Sequence, residues 1–301
     1  MQRSLVILIT GCSSGFGRLM VEPLAREGHT VYATLRDVSG RNASVAGTIS
    51  QLSEVSNLRA HVVQMDVTAT AEVQGVMARI EKEAGRIDVV VNNAAYIPYG
   101  IAEAFSVAQF QRTMETNVTG AFRVDQAALP MMRRQRSGLL MHISSVNGRL
   151  VMPFLGLYCA SKFALEAFAE ALRYELSALG IDSVIVEPGP FRTGIHSRPE
   201  RAEDQACLQD YGQIAQAESH VLVDLQQAVA DPNVPADPQL VVDAVLRLIA
   251  TPAGERPLRT VVGMDFGVTQ LNDATAHLTE VALTGMGLSQ LQSIKTANAQ
   301  P

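Results

Sequence analysis

Short apolar runs rich in valine and isoleucine alternate along this chain with longer segments of helical period, and that alternation constrains the fold more than any other feature. The runs at 5–10, 30–35, 59–65, 89–92, 139–144, 183–187 and 260–262 are mostly apolar and rich in valine and isoleucine. Strands exposed on one face would alternate apolar with polar residues, so near-continuous runs imply strands covered on both sides. Helical patterns at 15–27, 70–84, 107–135, 157–178 and 238–250 lie between them, which predicts parallel strands joined by crossover helices. Gly28, Gly85 and Gly180 each follow a helical pattern directly, where glycine takes the left-handed cap. The expected architecture is a doubly wound parallel sheet of seven strands in a three-layer α/β/α sandwich. At 301 residues, with 47% hydrophobic and 18% charged, the chain can close one large core. A single domain over 1–290 with a flexible tail at 291–301 is the expectation.

One stretch breaks the pattern. Residues 190–236 carry no strand signal and are punctuated by Pro190, Pro199, Pro232 and Pro235, following Pro188. A segment that long in a compact domain is usually functional, so it is read as a lid over a substrate. The net charge of −6 gives no long-range attraction for nucleic acid or an anionic membrane surface. The apolar run at 5–9 is too short to cross a membrane. Cys12, Cys159 and Cys207 are odd in number and widely spaced, fitting neither a disulfide framework nor a metal site, so a reducing, cytoplasmic setting is expected. His29, His61, His142, His196, His220 and His277 show no ligand spacing, and no metal is expected.

Between the first strand and first helix stands Thr10-Gly11-Cys12-Ser13-Ser14-Gly15-Phe16-Gly17. Glycines there let the backbone turn tightly and approach a pyrophosphate at the helix N-terminus, although a tight strand-to-helix turn without a ligand would show the same cluster. In this context the motif points to a Rossmann-type dinucleotide site. The second strand ends in Leu35-Arg36-Asp37. An acid at the strand end would accept hydrogen bonds from ribose hydroxyls, whereas a guanidinium would pair with a 2′-phosphate. Leu35 in the acid's place and Arg36 after it favour NADP(H), with NAD(H) left open because Asp37 can partly neutralise Arg36.

Tyr158 and Lys162 sit four apart at the start of a helical pattern, on one face. A phenol of pKa about 10 is a poor base near neutrality and needs its pKa lowered by roughly 3, about 4 kcal/mol, by nearby positive charge. Taken alone, such a pair is more often a surface stack. Here it comes with Ser144-Ser145 at the end of strand five, Asn92-Asn93-Ala94-Ala95 at the end of strand four, and Asn117-Val118-Thr119-Gly120 inside a helix. Ligands of open parallel sheets bind outside the carboxyl ends of the strands, so these groups converge.

In this order and spacing, across residues 4–193, the sequence resembles the short-chain dehydrogenase/reductase family: TGxxxGxG, an NNAG-like segment, NxxG, a serine, YxxxK and PGxxxT. Stretches such as 31–37 and 158–166 resemble its 17β-hydroxysteroid and retinol dehydrogenase branch. The resemblance implies that Tyr158 is the acid/base, that Lys162 lowers its pKa and holds the nicotinamide ribose, that Ser145 polarises the substrate carbonyl, and that Asn117 anchors a water leading protons to Lys162. Ser144 is passed over, because the family's serine-to-tyrosine spacing fits Ser145; successive strand side chains also face opposite ways, so both are not expected at one site. It further implies that Gly11, Ser13, Ser14, Gly15, Phe16, Gly17 and Arg36 hold the cofactor. Asp66 and Val67 would lie near the adenine, Asn93, Ala94 and Ala95 along it, and Pro188, Gly189 and Thr193 beside the nicotinamide amide. Ala95 departs from the family's glycine.

The expected reaction interconverts a hydrophobic alcohol and its ketone or aldehyde, with Val146, Phe154, Leu155 and Phe191 as substrate contacts and Ile97, Pro98, Leu150 and Ile195 nearby. A homodimer or homotetramer is a family expectation, through the 107–135 and Tyr158 helices. A catalytically idle NADP(H)-sensing protein is the alternative; it predicts erosion of the Tyr, Lys, Ser or Asn positions, and none is eroded. An epimerase or dehydratase on the same fold would need a larger C-terminal substrate domain.

Overall fold

A computed structural model describes residues 3–193 and 199–295. Seven strands form one sheet in the order β3-β2-β1-β4-β5-β6-β7, every neighbouring pair parallel. They are β1 Val6–Ile9, β2 Thr30–Leu35, β3 Ala60–Gln64, β4 Val89–Asn92, β5 Gly138–Ile143, β6 Ile181–Pro188 and β7 Arg259–Val262. Each matches an expected run to within a few residues. The first three strands step outward from β1, and β4 returns to its other side, so the loops after β1 and β4 diverge and leave a crevice at their carboxyl ends. One apolar cluster fills each side of the sheet: Ile7, Val31, Val91, Met141 and Val184 point one way, and Leu8, Tyr32, Val90 and Leu140 the other.

The expected helices form as α1 Gly15–Arg26, α3 Thr70–Ala84, α6 Gly156–Leu176 and α9 Gln239–Ala250. Gly28, Gly85 and Gly180 behind them all take positive φ. The expected helix over 107–135 is α4 Val107–Met114 and α5 Gly120–Gln135, joined through a π-helical turn at Glu115–Thr119. A capping box starts α4, with the Ser106 side chain accepting from the Gln109 amide while the Gln109 side chain accepts from the Ser106 amide. Beyond the π-turn, Asp125 on α5 accepts from Asn92 Nδ2 at 2.6 Å and pairs with His142 Nε2 at 2.8 Å.

Four helices fall where no helix is expected: α2 Ala43–Ser56, α7 Gln205–Asp210, α8 Gln213–Ala230 and α10 Val268–Gly285. α7 and α8 lie inside the 190–236 stretch, which is therefore largely helical. Their amphipathy is weak, with only Glu218, Leu222 and Val229 of α8 buried. Of the expected tail at 291–301, residues 291–295 are described. Ile294 is buried, and the Lys295 amide donates to the Ser177 carbonyl at 2.9 Å, which docks 291–295 on the end of α6. Residues 296–301, Ile195 and His196 lie outside the described residues.

α6 is fixed to the sheet by buried charge. Asp182 on β6 is wholly buried and accepts from Arg173 of α6 at 2.5 Å and from Arg256 at 3.2 Å. Removing one partner of a buried ionic group leaves the others desolvated and uncompensated. Asp182→Ala should therefore cost about 3–5 kcal/mol in urea unfolding; a loss below about 1 kcal/mol, the level of exposed pairs, would show that the two guanidiniums rehydrate.

Candidate active site

Two loops make the cleft at the split between β1 and β4. Thr10 Oγ1 accepts from the amides of Asn93 and Ala94, both at 2.9 Å, and Asn93 Nδ2 donates back to the carbonyls of Thr10 at 2.8 Å and Gly11 at 3.2 Å. The loop can close this tightly because two residues lack Cβ. At Gly11, with φ +72°, a Cβ would stand 2.9 Å from the Ala94 Cα, and at Gly17 it would stand 2.5 Å from both Asn93 Nδ2 and the Gly11 carbonyl. Ser14 caps α1 without a side-chain hydrogen bond, so the free amides of the first turn are available to an anion.

The cleft holds about 500 Å³. Gly11, Ser13, Ser14, Gly15 and Phe16 line it from the first loop, and Arg36, Asp66 and Val67 from the ends of the next two strands. Asn93, Ala94, Ala95 and Thr193 complete the expected set, and Ala95 leaves the cleft open despite its methyl group. Thr34, Leu35, Met65, Tyr96 and Thr116 line it too and were not expected. Gly17 works behind the wall, through the close approach just described. Asp37 does not neutralise Arg36. Its backbone turns to φ +48° and its carboxylate accepts from the Arg41 amide at 2.9 Å, while Arg36 lies 3.7 Å from Asp66. Burial would raise the Asp66 pKa, but hydrogen bonds from the Thr68 amide and hydroxyl, with the Arg36 charge, bring it below the usual carboxylate value.

A second pocket of about 270 Å³ adjoins the cleft, and Phe16 and Thr193 line both. Ser145, Tyr158, Pro188 and Gly189 open onto this second pocket rather than the first, as do Ile97, Leu155 and Phe191. Ser144 lines it beside Ser145, which corrects the alternation argument: β5 ends at Ile143, and the strand geometry that would separate the two no longer applies. Val146 and Phe154 are not wall residues, and neither are Pro98 and Leu150. Val146 begins a 3-10 turn that carries its side chain inward to 1% exposure. Phe154 sits at φ +65° with its ring against Tyr99 and its carbonyl accepting from the Gly100 amide. Tyr99, Asn147, Met152, Pro153, Val221, Leu225 and Phe266 take their place. Val221 and Leu225 are one turn apart on α8, a spacing that could have signalled an inward face.

Ser145 Oγ donates to the Pro188 carbonyl at 3.3 Å and accepts from the Asn147 amide at 3.1 Å, and it lines the same pocket as Tyr158. Lys162 lines neither pocket. It is 2% exposed, donates from Nζ to the Ile143 carbonyl at 2.7 Å, and stands 5.7 Å from the Tyr158 ring centre. Burial pushes the Tyr158 pKa up and outweighs the lowering effect of Ser145, so the expectation of a phenol depressed by Lys162 is not met by the protein groups alone. Burial lowers the Lys162 pKa to about 8 against the opposing charge of Glu166. Asn117 lies in the π-turn, where its Nδ2 donates to the Tyr96 carbonyl and to Ser161 Oγ, both at 3.0 Å, and its Oδ1 accepts from the Tyr96 amide at 3.1 Å. It thus ties the β4 loop to the residue before Lys162 without touching the lysine. Cys159 is buried against Asn147. No cluster of histidine, cysteine or acidic residues fit for a metal occurs among the described residues. None of their helices is long and apolar enough to cross a membrane.

Residues 5–204 match the family model described as short chain dehydrogenase. The 3-ketodihydrosphingosine reductase of Bacteroides thetaiotaomicron is 36% identical over 206 residues, spanning 68% of this chain and 71% of that one. Estradiol 17-beta-dehydrogenase 1 of Rattus norvegicus is 32% identical over 252 residues, spanning 83% and 71%. A solved short-chain dehydrogenase from Streptomyces avermitilis superposes with a TM-score of 0.74 at 31% identity, covering 95% of this chain and 99% of that one. With the glycine-lined cleft, the apolar pocket beside it and Ser145, Tyr158 and Lys162 in place, the chain belongs to the short-chain dehydrogenase family of NAD(P)-dependent oxidoreductases.

Proposed function

We propose that this enzyme interconverts a hydrophobic secondary alcohol and its ketone with NADP(H) in preference to NAD(H), using Tyr158 as the acid/base. The observation that carries this reading is the second pocket, where Ser145 and Tyr158 present hydroxyls among Phe16, Leu155, Phe191 and Val221 and, among the described residues, no charged side chain lines the wall. Such a lining favours an uncharged, apolar body with one oxygen to hydrogen-bond.

The residues present fit a dinucleotide. Gly11 and Gly17 allow the close backbone approach, the first turn of α1 offers its amides to the pyrophosphate, and Arg36, half-exposed and only loosely paired, is available to a 2′-phosphate. When bound, the nicotinamide supplies or accepts a hydride. Tyr158, held protonated by its burial, gives its proton to the developing alkoxide during reduction and takes one back from solvent before the next turnover. Ser145 has only a long bond to Pro188 to surrender before donating to the substrate oxygen. The Lys162 ammonium is held by the Ile143 carbonyl within reach of the Tyr158 ring. α8, carrying Val221 and Leu225, acts as the roof of the 190–236 lid. The half-exposed Phe122 on α5 and Phe163 on α6 suit a homodimer across those helices; light scattering at micromolar concentration should report more than a monomer.

Titration of the purified protein with NADPH and NADH by cofactor fluorescence, followed by absorbance at the nicotinamide band with a panel of apolar ketones, tests the whole reading; binding without turnover on any ketone defeats it. Tyr158→Phe should lower turnover by about 10²–10⁴-fold, the scale of general acid catalysis, with NADPH affinity unchanged, because the ring's packing survives. Unaltered turnover would exclude Tyr158 as the proton donor. Arg36→Leu should weaken NADPH by about tenfold or more, the worth of a charge-assisted hydrogen bond, and leave NADH nearly unaffected. Equal losses would show that Arg36 does not read the phosphate.

A further inference from the structure

Three carboxyl groups converge on one guanidinium beside the Tyr158 helix. Arg259 on β7 donates from Nε to Glu166 Oε2 at 2.8 Å and from Nη2 to Glu170 Oε2 at 2.6 Å, and its Nε lies 3.8 Å from Glu187 Oε1. Glu166 is 2% exposed and Glu187 on β6 is fully buried. From α10, Asn272 Nδ2 donates to Glu187 Oε2 at 2.6 Å, and Arg149 in turn holds Asn272 Oδ1 at 2.9 Å and Thr275 at 2.6 Å. Tyr174 donates to the remaining oxygen of Glu170 at 2.6 Å. The groups facing the pair are thus Lys162 and Glu170 from α6, Arg259 from β7 and Asn272 from α10.

Two atoms in this cluster are left over. Glu166 Oε1 and Glu187 Oε1 are buried and have no hydrogen-bond partner. Full ionisation would place two buried negative charges, with the partly exposed Glu170 beside them, around the Arg259 guanidinium and strand both oxygens as acceptors without donors. A proton on Glu187 Oε1 reverses this: the carboxylic acid becomes a donor toward Glu166, and one negative charge disappears.

We propose that Glu166 and Glu187 hold one proton between them at neutral pH, and that the carboxylate charge so fixed makes Glu166 a positioning residue for Lys162, one helical turn earlier on α6. The pKa of Glu187 is raised to about 8, by burial first and then by the charge and hydrogen bond of Glu166, in keeping with the geometry. Burial alone drives Lys162 toward its neutral form, and Glu166 opposes it. Gly148 is part of the arrangement, since a Cβ there would stand 2.6 Å from Ser144 Oγ and 2.9 Å from Glu166 Oε1. The lysine half of the inference rests on the function proposed above; the shared proton does not.

Infrared difference spectra of the full chain, wild type minus Glu187→Gln, should show the carbonyl stretch of a protonated carboxylic acid at pH 7 that fades above about pH 8. Absence of that band at pH 7 overturns the shared proton. Should Glu187→Gln fail to fold, Glu166→Gln serves, because removing the neighbouring charge should move the band's titration to lower pH; an unmoved titration overturns the pair. Thermal melting is a check that needs no substrate. With a folded pKa above the unfolded one, the native state binds the extra proton from the ordinary carboxylate range up to about pH 8, so wild-type stability falls with rising pH across that window relative to Glu187→Gln and levels off above it. Parallel melting curves count against the proposal. For the positioning role, Glu166→Gln should move the alkaline limb of turnover down by about one pH unit, with Glu166→Asp in between. A limb that coincides with wild type overturns that role, whereas a wild type inactive on every ketone defeats the proposed function and leaves the spectra and melting curves to judge the pair.

Discussion

The site depends on a backbone approach that no side chain could tolerate. Gly17 packs against the Gly11 carbonyl and the Asn93 amide, while Thr10 and Asn93 bind the two loops to each other through four hydrogen bonds. Those loops leave β1 and β4, the neighbouring strands from which the chain runs out in opposite directions, so without this link the crevice would be a gap with mobile edges. Because the link is made by backbone, by the short Thr10 hydroxyl and by the Asn93 side-chain amide, it fixes the direction of α1 and brings its first-turn amides to the cleft. The positions of Arg36 and Asp66 follow from the same sheet, one strand and two strands out.

α6 is the second organising element. Residues Tyr158, Lys162, Glu166 and Glu170 recur every fourth position and Arg173 follows, so one helix carries both the proposed reacting groups and the charged network behind them. The first three of these positions and Arg173 are buried. A helix face so polar can enter a core only if each group finds a partner, and the partners come from outside the helix: the Ile143 carbonyl, Arg259, Asp182 and, through Glu187, Asn272 of α10. The C-terminal helix is thereby coupled to the chemistry without touching either pocket wall.

The sheet was legible in the sequence because seven mostly apolar runs, separated by helical patterns, admit few other arrangements, and the glycine-lined cleft was legible because backbone constraints leave glycines at fixed spacing. The pocket was less so. Val146 and Phe154 are apolar and near the serine and tyrosine in sequence, yet a 3-10 turn and a positive φ send them elsewhere. Val221, Leu225 and Phe266 come from segments distant in sequence, and α8 shows too few buried positions to announce itself. Strand alternation did not keep Ser144 off the pocket wall, because the strand ends one residue before it. The proton affinity of Tyr158 could not be read from its spacing to Lys162, since it is set mainly by how deeply the ring is buried.

The π-turn between α4 and α5 amounts to one surplus residue in an otherwise continuous rod. At 3.6 residues per turn, that residue sets α5 out of phase with α4 by about 100°. The offset turns Asn117 toward Tyr96 and Ser161, and it also decides that Asp125 meets Asn92 and His142 and that Arg123 reaches Glu115 and Val67. The count of residues between Gln109 and Asp125 is therefore a structural constant. Lengthening or shortening this rod by one, though both its ends lie in ordinary helix, would rotate an asparagine out of the site and unpair a buried histidine in a single step.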